Sequence, residues 1–138
     1  MTITQKYLDE LTYKIIGCAI EVHKHLGPGL LESVYEKCFI KELVLKGLKF
    51  ERQKKIEMEY KGELFEADLR FDILVEGVII VELKSIDFLT PVHDAVLLTY
   101  MRVLEKPKGI LINFNCTNIF KRGQKTLVNK FYGALPRG

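Results

Sequence analysis

The segment Val78–Lys84 constrains the fold of this chain more than any other, because it combines an apolar run with two charges. Its sequence is Val-Ile-Ile-Val-Glu-Leu-Lys, and four apolar residues in a row are typical of a strand that is covered on both faces. Side chains alternate between the faces of a strand, so Glu82 and Lys84 point the same way. Burying such charges costs several kcal/mol unless a partner, a metal or a water-filled cleft receives them. The segment therefore predicts a buried strand that ends in a functional site.

A second acid, Asp72, lies ten residues before Glu82. It belongs to the segment Leu64–Val75, in which apolar and polar residues alternate as they do along a half-exposed strand. A turn at residues 76–77 joins this segment to Val78–Lys84, so we expect two neighbouring antiparallel strands. An acid, a second acid and a lysine would then converge at one edge of a sheet.

The register of these two strands decides whether the acids meet. A two-residue loop of Glu76 and Gly77 would place Asp72 opposite Val81. A three-residue loop or a bulge at Gly77 shifts the register by one residue and places Asp72 opposite Glu82. We predict the shifted register, because a left-handed backbone conformation in such a loop costs glycine little.

The hydrophobic periodicity of the rest of the chain predicts further helices and strands. The predicted helices span 4–26, 30–46, 90–105 and, in the tail, 124–132, and the predicted strands span 48–60, 64–75, 78–84 and 109–114. The first three strands would form an antiparallel meander, and the fourth, reached through a helix, would run parallel to the third. We therefore predict an α/β fold, with a mixed sheet of about four strands flanked by helices, in a single domain of residues 1–138.

Composition limits the class of protein without identifying a partner. The 138 residues carry a formal net charge of +3, which is compatible with a polyanionic partner but does not require one. Neither a signal sequence nor a stretch of about 18 apolar residues is evident, so we expect a cytoplasmic protein with no membrane segment. The cysteines lack metal-ligand spacing and are interpreted as reduced; they are Cys18, Cys38 and Cys116.

The converging residues suit one kind of chemistry. Two carboxylates at the ends of adjacent strands supply the oxygen ligands that Mg²⁺ or Mn²⁺ prefers and leave room for water. The ammonium group of Lys84 can position water and offset the negative charge of a transition state. A phosphodiester is the substrate class that best matches a metal, water and a lysine.

These residues resemble the GxxExxY family of the PD-(D/E)XK nuclease superfamily, which has a restriction-endonuclease-like fold. The segment from Gly29 to Tyr35 matches the motif that names the family, and Asp72 followed by Glu82-Leu-Lys84 matches the D…ExK core. The element order and Tyr100 match as well. The resemblance implies a metal-dependent nuclease with DNA or RNA as its partner.

The resemblance also implies roles for individual residues. Asp72, Glu82 and the helix residue Glu32 would be metal ligands, Lys84 would be the catalytic lysine, and Tyr100 would help to place the substrate. Many members carry a glutamine four residues before this tyrosine, where the present chain has Val96.

Alternative interpretations stay open at this point. The chain could be a nucleic-acid-binding or protein-interaction module that has lost turnover, or a hydrolase of a small phosphate compound. Glu82 and Lys84 could form a structural ion pair, and Asp68 could assist Asp72 instead of belonging to a solvated strand face. A small, mildly basic chain without a recognition domain is not expected to cut a specific sequence as a monomer, so a homodimer or a complex with a partner is plausible.

Overall fold

The computed structural model describes residues 2–52 and 55–138, with the backbone alone for residues 68–70. The helices are α1 (Gln5–Leu26), α2 (Glu32–Leu45), α3 (Pro91–Val103) and α4 (Lys130–Gly133), and a π-helical turn spans Ile119–Gly123. The strands are β1 (Phe50–Arg52), β2 (Lys55–Tyr60), β3 (Glu63–Arg70), β4 (Ile73–Val75), β5 (Ile79–Lys84), β6 (Lys108–Asn113) and β7 (Gln124–Val128). No helix in these ranges is long and apolar enough to cross a membrane.

Five strands form the central sheet, in the order β1-β4-β5-β6-β7. Strands β5 and β6 are parallel, as expected for neighbours joined through a crossover helix, and the other neighbours are antiparallel. Strands β2 and β3 form a separate two-stranded sheet. The predicted mixed α/β fold is therefore confirmed.

Helices cover both faces of the central sheet. Strand β5 shows this best, because Val81 packs into the core formed with α1 and α2, whereas Ile80 packs into the core formed with α3. On β6, a Cβ added to Gly109 would lie 2.7 Å from the sulfur of Met101, so glycine permits the close approach of α3. By strand alternation, Glu82 and Lys84 belong to the face that α3 covers.

The prediction of one strand over residues 64–75 is wrong. Strand β3 ends at Arg70, and β4 begins at Ile73 and pairs with β1 and β5 instead of continuing the hairpin. Phe71 lies in the core beside α3, whereas Ile73 and Val75 lie in the opposite core, although the alternating pattern had placed all three on one face. The chain changes direction between these cores, and Asp72 lies at the break.

Two further predictions need correction. The predicted strand 48–60 is split between β1 and β2, and residues 53–54, between them, lie outside the described residues. The predicted helix 124–132 is replaced by strand β7 and the four-residue helix α4. Pairing with β7 satisfies the backbone groups along one edge of the buried strand β6, which outweighs the weak helical periodicity of the tail.

Candidate active site

The register of β4 and β5 brings the two predicted acids together. Ile73 pairs with Val81 and Val75 pairs with Ile79, so the same register places Asp72 opposite Glu82. The loop has three residues, 76–78, and Gly77 has a φ of 69°. The predicted register shift is thus confirmed, together with the left-handed glycine on which it depends.

Backbone amides hold both carboxylates in a reciprocal arrangement. The N–H of Asp72 donates to Oε1 of Glu82 at 3.0 Å, and the N–H of Leu83 donates to Oδ2 of Asp72 at 2.8 Å. Each side chain therefore accepts a hydrogen bond from the backbone of the other strand, at the point where the ladder between β4 and β5 stops. The break at residues 71–72, which the sequence did not predict, makes this arrangement possible.

Burial makes the two carboxylates resist ionising together. The exposed fraction of Glu82 is 5%. Burial, followed by the charge of Asp72, raises the pKa of Glu82 to about 8. Burial also raises the pKa of Asp72, against the lowering effects of the Leu83 amide and the Lys84 charge. Without a cation the pair therefore retains a proton near neutral pH.

Lys84 lies two residues beyond Glu82 and is half-buried. Its positive charge lowers the pKa of both Asp72 and Glu82, so its ammonium group lies within their electrostatic reach. It forms no ion pair within 4.0 Å with a carboxylate that the structure describes, which disfavours a purely structural Glu82–Lys84 pair.

Glu32 lies at the carboxyl end of β5. It is the first residue of α2, and its Oε1 accepts a hydrogen bond of 3.3 Å from the N–H of Ser85, the residue after Lys84. The hydroxyl of Ser85 donates to the carbonyl of Leu30 at 2.6 Å and fixes the start of α2 against the strand. The structure thus brings Glu32 to the backbone beside Lys84, whereas Asp72 and Glu82 meet directly.

Glu36 is an acid near the site that the sequence analysis missed. It lies one turn after Glu32 on α2, and its charge contributes to the raised pKa of Asp72. Its carboxylate pairs with Arg52 of β1 at 3.4 Å. The spacing of four residues indicates that Glu36 lies on the same face of α2 as Glu32. Only the packing of α2, however, shows that this face is turned toward the site.

Tyr35, the last residue of the helical motif, lies in the core. It is fully buried, and its ring stacks on Phe114 with ring centres 4.3 Å apart and planes 5° apart. Its hydroxyl donates to the carbonyl of Gly27 at 2.5 Å and accepts from the N–H of Leu30 at 3.2 Å. Tyr35 therefore fixes the loop between α1 and α2 to the sheet and helps to position Glu32.

Tyr100 lies in the core, and His93 has a local structural role. Tyr100 is buried in the core beside α3, with 8% of its surface exposed. His93 accepts a hydrogen bond of 2.9 Å from the N–H of Thr90, so it caps α3 locally. The side chain of Asp68 lies outside the described part of the chain.

Comparison of the sequence with models of known protein families shows which family the chain belongs to. A model of the PD-(D/E)XK nuclease superfamily matches residues 9–126, which include both acids, Lys84 and Tyr35. The chain belongs to the PD-(D/E)XK nuclease superfamily. The element order and the mixed sheet are consistent with the restriction-endonuclease-like fold of this superfamily.

Two other comparisons accompany this result. The crystal structure of SSO0001 is similar with a TM-score of 0.45 and 15% sequence identity, over 89% of this chain and 82% of that chain. No curated protein matches the sequence.

The site fits the divalent cation that PD-(D/E)XK nucleases typically use. Its two carboxylates provide hard oxygen donors, and their raised pKa values indicate that a cation at this position would relieve the repulsion between them. No group of three or more His, Cys, Asp or Glu side chains within the described ranges is arranged to hold a metal ion. Two carboxylates completed by water correspond to the incomplete protein ligand set that Mg²⁺ often has.

The raised pKa of Glu82 predicts how stability depends on pH in EDTA. Between the ordinary pKa of 4.5 and the folded value of about 8, the folded protein holds a proton that the unfolded chain has released. The contribution of Glu82 to the free energy of unfolding should therefore fall as the pH rises through this range, by at most about 1.4 kcal/mol per pH unit. Urea denaturation at several pH values measures this slope.

Glu82→Gln should make that slope shallower, because it removes the titrating group. Glu59→Gln, on the exposed strand β2, is the matched control for loss of a negative charge, and it should retain the wild-type slope. Equal slopes for all three proteins would contradict the prediction.

Proposed function

We propose that this protein is a metal-dependent phosphodiesterase that cleaves DNA or RNA, with Mg²⁺ or Mn²⁺ as its cofactor. The observation that carries the proposal is the reciprocally bonded pair of Asp72 and Glu82, with Lys84 on the same strand and within electrostatic reach. Membership of the PD-(D/E)XK nuclease superfamily supports the same chemistry.

The proposed mechanism assigns a task to each side chain. Asp72 and Glu82 would hold the cation, which when bound supplies Lewis-acid stabilisation of the phosphoryl oxygens. Glu32, beside the end of β5, would support it from the edge of the site. Lys84 would orient the attacking water and offset the negative charge that develops as the water oxygen bonds to phosphorus and the bond to the leaving oxygen breaks.

The remaining parts of the proposal concern the substrate and the assembly. Tyr100 lies on the side of the sheet that carries the proposed site, where it would help to position the substrate, although its burial gives it a small exposed contact surface. Val96, at the position where many members of the family carry glutamine, is 42% exposed and offers an apolar contact there. The homodimer stays a prediction.

Cleavage assays with and without metal test the proposal. Wild-type protein should cleave single- or double-stranded DNA or RNA with Mg²⁺ or Mn²⁺ and should be inactive in EDTA. Asp72→Asn should abolish cleavage, because it removes a ligand charge while keeping a side chain of similar shape at the Leu83 amide. Glu10→Gln, at an exposed residue of α1, is the matched control for loss of a carboxylate charge and should stay active.

The same assay distinguishes a nuclease from a nucleic-acid-binding module that has lost turnover. If nucleic acid binds equally well with EDTA and with Asp72→Asn, and no cleavage occurs under any condition, the protein is a binding module on a nuclease fold. Cleavage of a small phosphate compound with no cleavage of nucleic acid would instead identify the protein as a hydrolase of small phosphate compounds.

A further inference from the structure

A cavity of about 440 Å³ opens at the carboxyl ends of the parallel strands β5 and β6, beside the proposed catalytic lysine. Asn113, which lines it, pairs with Lys84 across the two strands, and the N–H of Phe114 donates to the carbonyl of Lys84 at 2.9 Å. The carboxyl ends of parallel strands are where α/β sheets commonly bind ligands. The volume lies within the range of roughly 300–1,000 Å³ that small-molecule sites occupy.

The walls of the cavity are held in place by hydrogen bonds and close packing. The Asn113 amide bonds both backbone groups of Ile86, accepting from its N–H at 3.1 Å and donating to its carbonyl at 2.9 Å. A Cβ added to Gly123 would lie 2.7 Å from the Asn113 carbonyl, so the π-helical turn packs directly on the end of β6. The cavity is therefore preformed, which lowers the entropic cost of binding a ligand.

The charges around the cavity favour a nucleobase inside it and a phosphate at its rim. The Arg122 guanidinium is exposed and forms no hydrogen bond or ion pair with the residues that the structure describes, so it is available for an anion. Asp87 lines the same cavity, and its carboxylate repels a phosphate but accepts the N–H groups of a base. The Asn115 amide donates to Oδ1 of Asp87 at 3.5 Å and to the carbonyl of Ile86 at 3.3 Å, which holds the Asp87 carboxylate at the wall of the cavity.

An aromatic ring completes the cavity. Phe88, in the loop between β5 and α3, leaves 79% of its surface exposed and lines the same space. A ring exposed to this degree buries little apolar area within the protein. It is suited to stack against a base, as aromatic side chains do in proteins that bind single strands.

We propose that this cavity holds an unpaired base of the substrate, stacked on Phe88, with its N–H groups at Asp87 and the neighbouring phosphate at Arg122. The inference rests on the proposed function and specifies its substrate class as single-stranded or locally unpaired nucleic acid. A base in an intact duplex cannot enter, because its hydrogen-bonding edge is paired and its faces are stacked.

Binding measured in EDTA tests the inference without requiring cleavage. Fluorescein-labelled 12-nucleotide single strands of DNA and RNA, and the corresponding duplexes, are titrated with wild-type protein and followed by fluorescence anisotropy. Single strands should bind more tightly than duplexes. Phe88→Ala should weaken single-strand binding by about 5- to 100-fold, and Phe88→Tyr should restore it because the stacking ring is kept.

Arg122→Ala provides an independent measurement. It should weaken single-strand binding and reduce the slope of log K against log salt concentration by roughly 0.7, the value for one lost phosphate contact on a single strand. Tyr13→Ala and Arg137→Ala are matched controls that line a different surface groove, and they should leave the affinity and the slope unchanged.

The possible outcomes separate this inference from the proposed nuclease activity. Cleavage by wild-type protein together with unchanged single-strand binding by Phe88→Ala and Arg122→Ala would overturn the inference alone. Equal binding of duplexes and single strands would also overturn it. Weakened single-strand binding by both variants, with Phe88→Tyr restoring it, would support the cavity even if wild-type protein proved inactive as a nuclease.

Discussion

Lys84→Met is expected to lower the rate of phosphodiester cleavage by about 100- to 1,000-fold, the effect typical of removing one electrostatic contact to a transition state. Methionine keeps the length and packing of the lysine stem but removes the ammonium group. The affinity for Mn²⁺ should be retained or increased, because in the wild-type protein the positive charge of Lys84 repels a cation held between Asp72 and Glu82. Single-turnover cleavage rates and calorimetric titration with Mn²⁺ measure the two effects separately.

Lys130→Met serves as the matched control for this experiment. Lys130 is an exposed residue at the start of α4, so its loss should change neither the rate nor the affinity for Mn²⁺. If Lys84→Met lost metal binding to the same degree as cleavage, Lys84 would be needed to build the site, and its proposed role with the attacking water would be wrong.

Tyr35→Ala is expected to lower the free energy of unfolding by about 3–5 kcal/mol, the range found when a large buried aromatic residue is truncated. The loss combines the stacking contact with Phe114 and both hydrogen bonds of the hydroxyl group. Tyr35→Phe keeps the ring and should cost about 1–3 kcal/mol, because two backbone groups lose their partner. Urea denaturation of the three proteins measures these differences.

The comparison also tests what the helical motif contributes. Tyr13→Ala, at a residue of α1 that is 77% exposed, should change stability by no more than about 0.5 kcal/mol. A Tyr35→Phe protein with wild-type stability but no cleavage would show that the tyrosine takes part in the reaction, contrary to its buried position.

The most local features of the fold were the most predictable from sequence. The apolar run before Glu82 identified β5, and Gly77 identified the three-residue loop, because strand periodicity and turn conformation depend on adjacent residues. The contact between Asp72 and Glu82 followed from these two observations. Lys84 followed from its spacing after Glu82.

Features that depend on distant partners were not predictable in this way. The alternation of residues 64–75 continues through the break at Phe71, and only the two separate cores show that the chain bends there. Strand β7 depends on the open edge of β6, and a strand's tendency to form varies with its neighbours. Glu36 required the position of α2 against the sheet.

The hydrogen bonds of the acidic pair bear on which positions can vary. Asp72 is held by the amide of residue 83 and Glu82 by the amide of residue 72, so the spacing of the carboxylates is encoded in the path of the main chain. The identity of the side chain at Leu83 is then restricted only by the apolar core around it. Mutational drift can change this position among aliphatic residues without moving either acid, whereas proline, which lacks the amide hydrogen, would release Asp72.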